Sequence, residues 1–289
     1  MRVLDATARR ILDRLQLSVR PGSTATRQGG HRSPVLASGV EFADHRPYVP
    51  GDDFRRIDWR AFSRHGQLVM RQFEEERDAR VYVLLDLSGS MSRGAPPKIE
   101  IAKRIAAAFA YVGMKQFDRA VVIPFGEDLE REARPLRAPS DLPDVDAFLA
   151  NATAGGPTAF PQAVRSLATR FPQRGLAVVV SDLMTAKGFP EGFRTLGALG
   201  HEVRVVSVRC KEDDAPDFQG EIELHDAESG QKLRLRVSRD LLDAYAKEIK
   251  AHREGCRDAT RRAGGRFVDL DVAMPIEQML RTAFRGDEK

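Results

Sequence analysis

Asp86, Ser88 and Ser90 stand at alternate positions directly after the apolar run Val81-Tyr82-Val83-Leu84-Leu85. One carboxylate and two hydroxyls presented by the end of a buried strand make half of a site for a hard cation. Oxygen-only donors suit Mg²⁺, Mn²⁺ or Ca²⁺ and suit zinc poorly. The pentapeptide alone also fits a plain strand-to-helix turn in which Ser88 or Ser90 caps the next helix. Two distant segments favour the cation. A second apolar run, rich in β-branched residues, covers 176–180 and ends in Ser181-Asp182. Gly155-Gly156-Pro157-Thr158 opens a segment with helical character that runs on to Arg170. Together they add one carboxylate and one hydroxyl, each at the start or end of an element.

The elements that must position these groups alternate in type. Strands are expected at about 80–86, 120–125, 176–181 and 203–208, with a last one near 267–270. Helices are expected at about 98–117, 141–150, 158–170 and 189–199. The first of these places Ile101, Ala102, Ile105, Phe109 and Val112 on one face. Apolar strands separated by helices imply a parallel sheet covered on both sides. Ligands of such sheets sit outside the carboxyl ends of strands, near the switch point. Asp86 and Asp182 both fall at carboxyl ends.

Residues 218–237 break this rhythm. Alternating polar and apolar positions on either side of Glu228-Ser229-Gly230 read as a half-exposed hairpin that covers a sheet edge. A long helix then starts after Ser238, its N-cap, and stops near Ala263, where Gly264-Gly265 supply the C-cap. Pro275 opens a terminal helix, as suits the first helical position.

The first 79 residues form a separate piece by composition. A short amphipathic helix over 4–15 precedes a polar loop. The run Pro50-Gly51-Asp52-Asp53 is a turn signal, followed by Arg55-Arg56-Ile57-Asp58-Trp59. Opposite charges at close spacing around the single Trp suggest an internal ion-pair network. Residues 39–60 are therefore expected to dock on the α/β domain with Trp59 buried. The domain division is then an extension at 1–79 and a core domain at 80–289 carrying the hairpin.

With 42% apolar and 30% charged residues, the 289-residue chain can build one large core. No apolar stretch nears the roughly 18 residues a membrane span needs, and the first ten residues lack the apolar centre of a secretory signal. Cys210 and Cys256 have no metal or redox spacing, and reduced thiols in a cytoplasmic protein are expected. The basic excess lies wholly in residues 1–80, with 15 Arg against 11 Asp and Glu, whereas the remainder is balanced. That is too thin a surplus for a nucleic-acid binder.

The order Asp-x-Ser-x-Ser, then Thr, then Asp resembles the metal-ion-dependent adhesion site of von Willebrand factor type A domains. The resemblance implies the ligand set Asp86, Ser88, Ser90, Thr158 and Asp182. The serines and the threonine would bind the ion, and the aspartates would bind directly or through water. Leu183 departs from the pattern, since many members have Gly after the last Asp. The run Glu41-Phe42, Arg46-Pro47-Tyr48, Gly51-Asp52-Asp53, Arg56-Ile57-Asp58-Trp59 also closely resembles the bacterial domain-of-unknown-function family 58, over about residues 25–285. Members carry a von Willebrand factor A-like domain and are associated with MoxR-type AAA+ ATPases in chaperone-like maturation of other proteins.

These readings together predict a three-layer α/β/α von Willebrand factor A-like (Rossmann-like) domain. Its function would be metal-dependent protein binding with Mg²⁺, or Mn²⁺ or Ca²⁺, in place. A MoxR-type AAA+ ATPase and a client protein would be its partners, and it would not be an enzyme. No nucleophile–base pair, phosphate loop or His-Glu-x-x-His run is present. His31, His45 and His65 are single histidines among Arg and Asp. The alternatives are a Mg²⁺- or Mn²⁺-dependent phosphoester hydrolase and a basic nucleic-acid-binding module.

Overall fold

The computed structural model describes residues 3–17, 36–49, 57–74, 80–117, 119–130, 135–185, 188–226 and 230–284. In chain order the elements are α1 (Ala6–Leu12), β1 (Leu36–Pro47), α2 (Trp59–His65), β2 (Val69–Glu74), β3 (Arg80–Asp86), α3 (Lys98–Gln116), β4 (Arg119–Phe125), α4 (Leu142–Ala150), α5 (Phe160–Arg170), β5 (Leu176–Ser181), α6 (Phe189–Ala198), β6 (Glu202–Arg209), α7 (Lys211–Asp214), β7 (Gly220–His225), β8 (Lys232–Val237), α8 (Arg239–Arg262), β9 (Arg266–Asp271) and α9 (Ile276–Phe284). Two compact units result, one of Met1–Arg27 with Ala79–Lys289 and one of Gln28–Asp78. The first helix thus belongs with the α/β unit. The segment expected as a single extension over 1–79 is divided between the two.

Five strands make the central sheet of the α/β unit, in the order β4-β3-β5-β6-β9. Every neighbouring pair is parallel. Side chains of a strand point alternately to the two faces, and β3 shows the consequence. Val81, Val83 and Leu85 join one core with Ile105, Phe109 and Phe284. Tyr82 and Leu84 join the other with Phe160, Leu167 and Phe193. Residues of α1, α3, α4 and α9 cover the first face, and residues of α5, α6 and α8 cover the second. This is the expected three-layer arrangement. All of Val81 to Leu85 are 0% exposed, which accounts for their unbroken apolar character.

Local signals set the element ends. Leu241 N donates to Ser238 Oγ at 3.2 Å at the start of α8. Gly264 takes φ +73° just past its end, where a Cβ would be strained. Pro275 directly precedes α9. β7 and β8 pair as an antiparallel hairpin at the predicted place, with Leu233 60% exposed.

In the second unit β1 pairs antiparallel with β2, and α2 lies between them in sequence. Here the expectation for Trp59 fails. The side chain is 57% exposed, because Trp59 is the first residue of a two-turn helix capped by Asp58, which accepts from Arg60 N and Ala61 N. Its described ring contact is an edge-on one with Phe62, with centroids 6.2 Å apart. Asp52, Asp53, Arg55 and Arg56 lie outside the described residues, so the ion-pair network expected there has no structural description. Trp59→Ala should therefore shift the melting temperature by no more than about 2 °C, as exposed substitutions do. A fall several times larger in a thermal melt would show that this side chain is covered.

Candidate metal centre

Three strand ends meet around the predicted ligands. β3 delivers Asp86, β5 delivers Ser181 and then Asp182, and β4 delivers the Phe125-Gly126 backbone. After Asp86 the chain turns through Leu87 and Ser88 into a short 3₁₀ turn, Gly89–Ser92. That turn is tied to the Gly-rich segment before α5. Gly155 N donates to Leu87 O at 2.8 Å, and Gly89 N donates to Gly156 O at 2.9 Å. Gly156 takes φ +74°, a conformation that favours glycine, and so lets this second loop lie against the first. Thr158 follows, and its Oγ1 donates to Gly126 O at 3.2 Å. A hydroxyl whose proton is used in this way keeps its lone pairs for a cation.

The carboxylates form a buried floor. Asp86 is 1% exposed and Asp182 is 2% exposed. Asp86 Oδ1 accepts from Ser88 N at 2.8 Å, and Oδ2 accepts from Ser181 Oγ at 2.5 Å. Burial, and then the charge of Asp182, push the Asp86 carboxyl up to about 7. Ser88 Oγ and Ser90 Oγ lie 3.1 Å apart at the rim of this floor. Adjacent oxygens around an octahedral ion with bonds near 2.1 Å are separated by about 3 Å, so this spacing needs almost no adjustment. Among the described residues no three or more His, Cys, Asp or Glu gather into a metal site by themselves. A divalent ion here would depend on the hydroxyls. An oxygen-only donor set, two hydroxyl oxygens at ligand spacing and a buried carboxylate whose charge is disfavoured fit such an ion. Asp86, Ser88 and Ser90 are brought into direct contact. Asp182 stands on the neighbouring strand, and Thr158 stands on the loop bonded to the Leu87–Gly89 segment.

Lys98 is the residue that sequence reasoning missed. It is 0% exposed at the start of α3. Its Nζ donates to Asp213 Oδ1 at 2.8 Å and to Oδ2 at 3.0 Å. It also lies 2.6 Å from Asp182 Oδ2, a charge contact without the angles of a hydrogen bond, so that this oxygen has no hydrogen-bond donor. Burial works against the ammonium, but Asp182 and Asp213 outweigh it and hold its pKa above the usual lysine value. Asp213 also accepts from Cys210 N at 2.9 Å and thereby caps α7. In sequence, Lys98 after two prolines and Asp213 within Glu212-Asp213-Asp214 look like solvated surface charges. The available signal was the position of Lys98 in the first turn of a helix, where a cation opposes the dipole and calls for acidic partners.

Leu183, the departure from the Gly pattern, takes φ +59°. A leucine there carries about 1 kcal/mol of backbone strain, which explains why Gly suits the position. Leu183 N donates to Ser181 Oγ at 2.9 Å, its carbonyl contacts His252 Nε2 of α8 at 2.7 Å, and its side chain is 0% exposed. His31 lies outside the described residues. His45 and His65 belong to the other compact unit.

The sequence matches the family described as Protein of unknown function DUF58 over residues 44–255. It is 28% identical over 262 residues to the uncharacterized protein Rv1480 of Mycobacterium tuberculosis (strain ATCC 25618 / H37Rv), covering 89% of this chain and 82% of that protein. A protein of Mycobacterium bovis, uncharacterized protein Mb1516, matches to the same extent. Among solved structures, the conserved hypothetical protein BatB from Bacteroides thetaiotaomicron superposes with a TM-score of 0.45 at 21% identity, over 72% of this chain and 98% of that one.

Proposed function

The chain belongs to the DUF58 family, and on that premise we propose that it is a metal-dependent protein-binding protein. The observation that supports this most is the pairing of two buried carboxylates with a rim of neutral hydroxyls, Ser88, Ser90 and Thr158, at one end of the sheet. Asp86, Ser88, Ser90 and Thr158 would hold Mg²⁺ or Mn²⁺, and Asp182 would act from the adjoining strand. A bound ion supplies a Lewis-acidic point whose charge neutral hydroxyls do not cancel. A carboxylate from a partner protein is the natural complement. The family resemblance alone suggests a MoxR-type AAA+ ATPase as the partner in this reading. A client protein would be the object of their joint action. No helix among the described residues is long and apolar enough to cross a membrane.

The reading includes no catalytic step. His252 of α8 is engaged with the Leu183 carbonyl. The experiment is an affinity capture of the AAA+ ATPase with Mg²⁺ and with chelator, paired with thermal melts. Saturation at about 100 times Kd should stabilise the fold by roughly 2.7 kcal/mol. Capture should vanish on chelation and in Ser88→Ala. A melt unmoved by Mg²⁺, Mn²⁺ and chelator refutes the metal site. Mg²⁺-dependent hydrolysis of phosphate esters that Asp182→Ala abolishes would replace binding by catalysis.

A further inference from the structure

Lys98 sits where a structural ion pair alone gives little reason for it. It is fully buried, it stands in the first turn of a helix where its charge is disfavoured, and one of its two carboxylates is a predicted metal ligand. Buried ion pairs add little net stability over well-packed apolar residues, so the charge itself must be the useful property. We propose that Lys98 is the resident counter-cation of the candidate metal site, holding Asp182 away from direct ligation and setting a deliberately weak affinity for divalent ions. This deepens the metal-binding reading and rests on it.

The geometry assigns the roles. Asp213 orients the ammonium with two hydrogen bonds from behind. The same ammonium meets Asp182 Oδ2 at 2.6 Å, and Asp182 follows the end of β5, the strand paired with the one that carries Asp86. Asp182 is thus neutralised before any divalent ion arrives. Among the described residues, Asp86 is then the predicted carboxylate ligand with no cation shown against it, and the remaining predicted donors are neutral. A site with one unneutralised negative charge in its shell holds a divalent ion loosely, and an incoming acidic side chain supplies the missing charge. Binding of the ion and binding of an acidic partner therefore strengthen each other.

The test measures Mn²⁺ alone, by paramagnetic resonance of the free ion, so that no partner is needed. Four proteins are compared: wild type, Lys98→Met, Asp213→Asn and the double variant Lys98→Met/Asp213→Asn. The double variant removes the ammonium and one acid together, so it keeps the net charge and guards against a single variant that fails to fold. The expected result is Mn²⁺ affinity roughly tenfold or more above wild type in the double variant, because the ammonium that it removes is in contact with the ligand Asp182, whereas the acid that it removes reaches Asp182 only through that ammonium. Lys98→Met should melt lower without metal and recover with Mn²⁺. Asp213→Asn alone should bind no tighter than wild type. Equal or weaker affinity in the double variant, with wild-type binding intact, overturns the counter-cation role and leaves the metal site standing. Equal tightening in Asp213→Asn alone also overturns it. Failure of every protein, wild type included, to bind Mn²⁺ overturns the metal site itself.

Discussion

Asp86→Asn should raise the melting temperature of the metal-free protein at pH 8 by roughly 5 °C and abolish its response to Mg²⁺. Asp86 is buried among groups that disfavour its charge, and its carboxyl is pushed up to about 7 from an ordinary value of 3.8. Well below pH 3.8 the folded and unfolded chains both hold this proton, so the group has no effect on stability. As the pH rises the unfolded chain releases it first, and stability falls until the folded carboxyl has also ionised. Above about pH 8 the penalty is present in full. Asn removes the charge and keeps an oxygen for Ser88 N, at the expense of some hydrogen bonding to Ser181 Oγ. The gap between the variant and wild type should therefore widen from pH 4 to pH 8 in the absence of metal. A variant less stable than wild type at pH 8 would show that Asp86 is a structural anion rather than a waiting ligand.

Phe160→Ala should cost about 3–5 kcal/mol and also weaken Mg²⁺ binding. Phe160 is 2% exposed and gathers Phe125, Phe189 and Phe193 at centroid distances of 5.3, 4.8 and 5.4 Å. A Cβ on Gly192 would meet its ring at 2.4 Å, which measures how closely α6 approaches it. The same residue begins α5 two positions after Thr158. Emptying this space frees the loop that carries the Thr158 hydroxyl against Gly126. The melting temperature should fall by roughly 10 °C, and Mg²⁺ should restore less of it than in wild type. Unchanged Mg²⁺ affinity in a destabilised variant would separate the loop from the core beneath it.

The parallel sheet was legible because its strands answer to two buried faces. Val81 to Leu85, Leu176 to Val180 and Val203 to Val208 leave no polar position that would suggest an exposed side, apart from Arg204 and Ser207, both of which are buried. The caps at Ser238 and Gly264 were legible for a similar reason, since backbone groups at helix ends have few other solutions. Asp86, Ser88 and Ser90 were readable as a unit because three neighbouring donors need no long-range knowledge. The Lys98–Asp213 contact was not readable. It joins residues 115 apart, and each partner sits in a local context that looks solvated. Trp59 misled because size argues for burial, whereas its place at the start of a short helix decides its exposure. The strands β1 and β2 were missed because their pairing, Phe42 with Phe73 and Arg46 with Met70, is visible only once both are side by side.

The sheet order has a temporal meaning. β3, the earliest strand of the central sheet, lies inside it between β4 and β5. Asp86 meets Ser181, a residue 95 positions further along the chain. While the chain is being synthesised, β3, β4 and the helix between them leave the ribosome before β5, and the aspartate at their end then lacks Ser181 and Asp182. A nascent or truncated chain lacking β5 therefore displays Asp-x-Ser-x-Ser without the second carboxylate, the Ser181 hydroxyl or the Asp182–Lys98 contact. Closing so long a loop to form a parallel pair is slow compared with local folding. Capture of a partner at this end of the sheet would thus be reserved for chains that have finished folding, and incomplete copies would not compete for it.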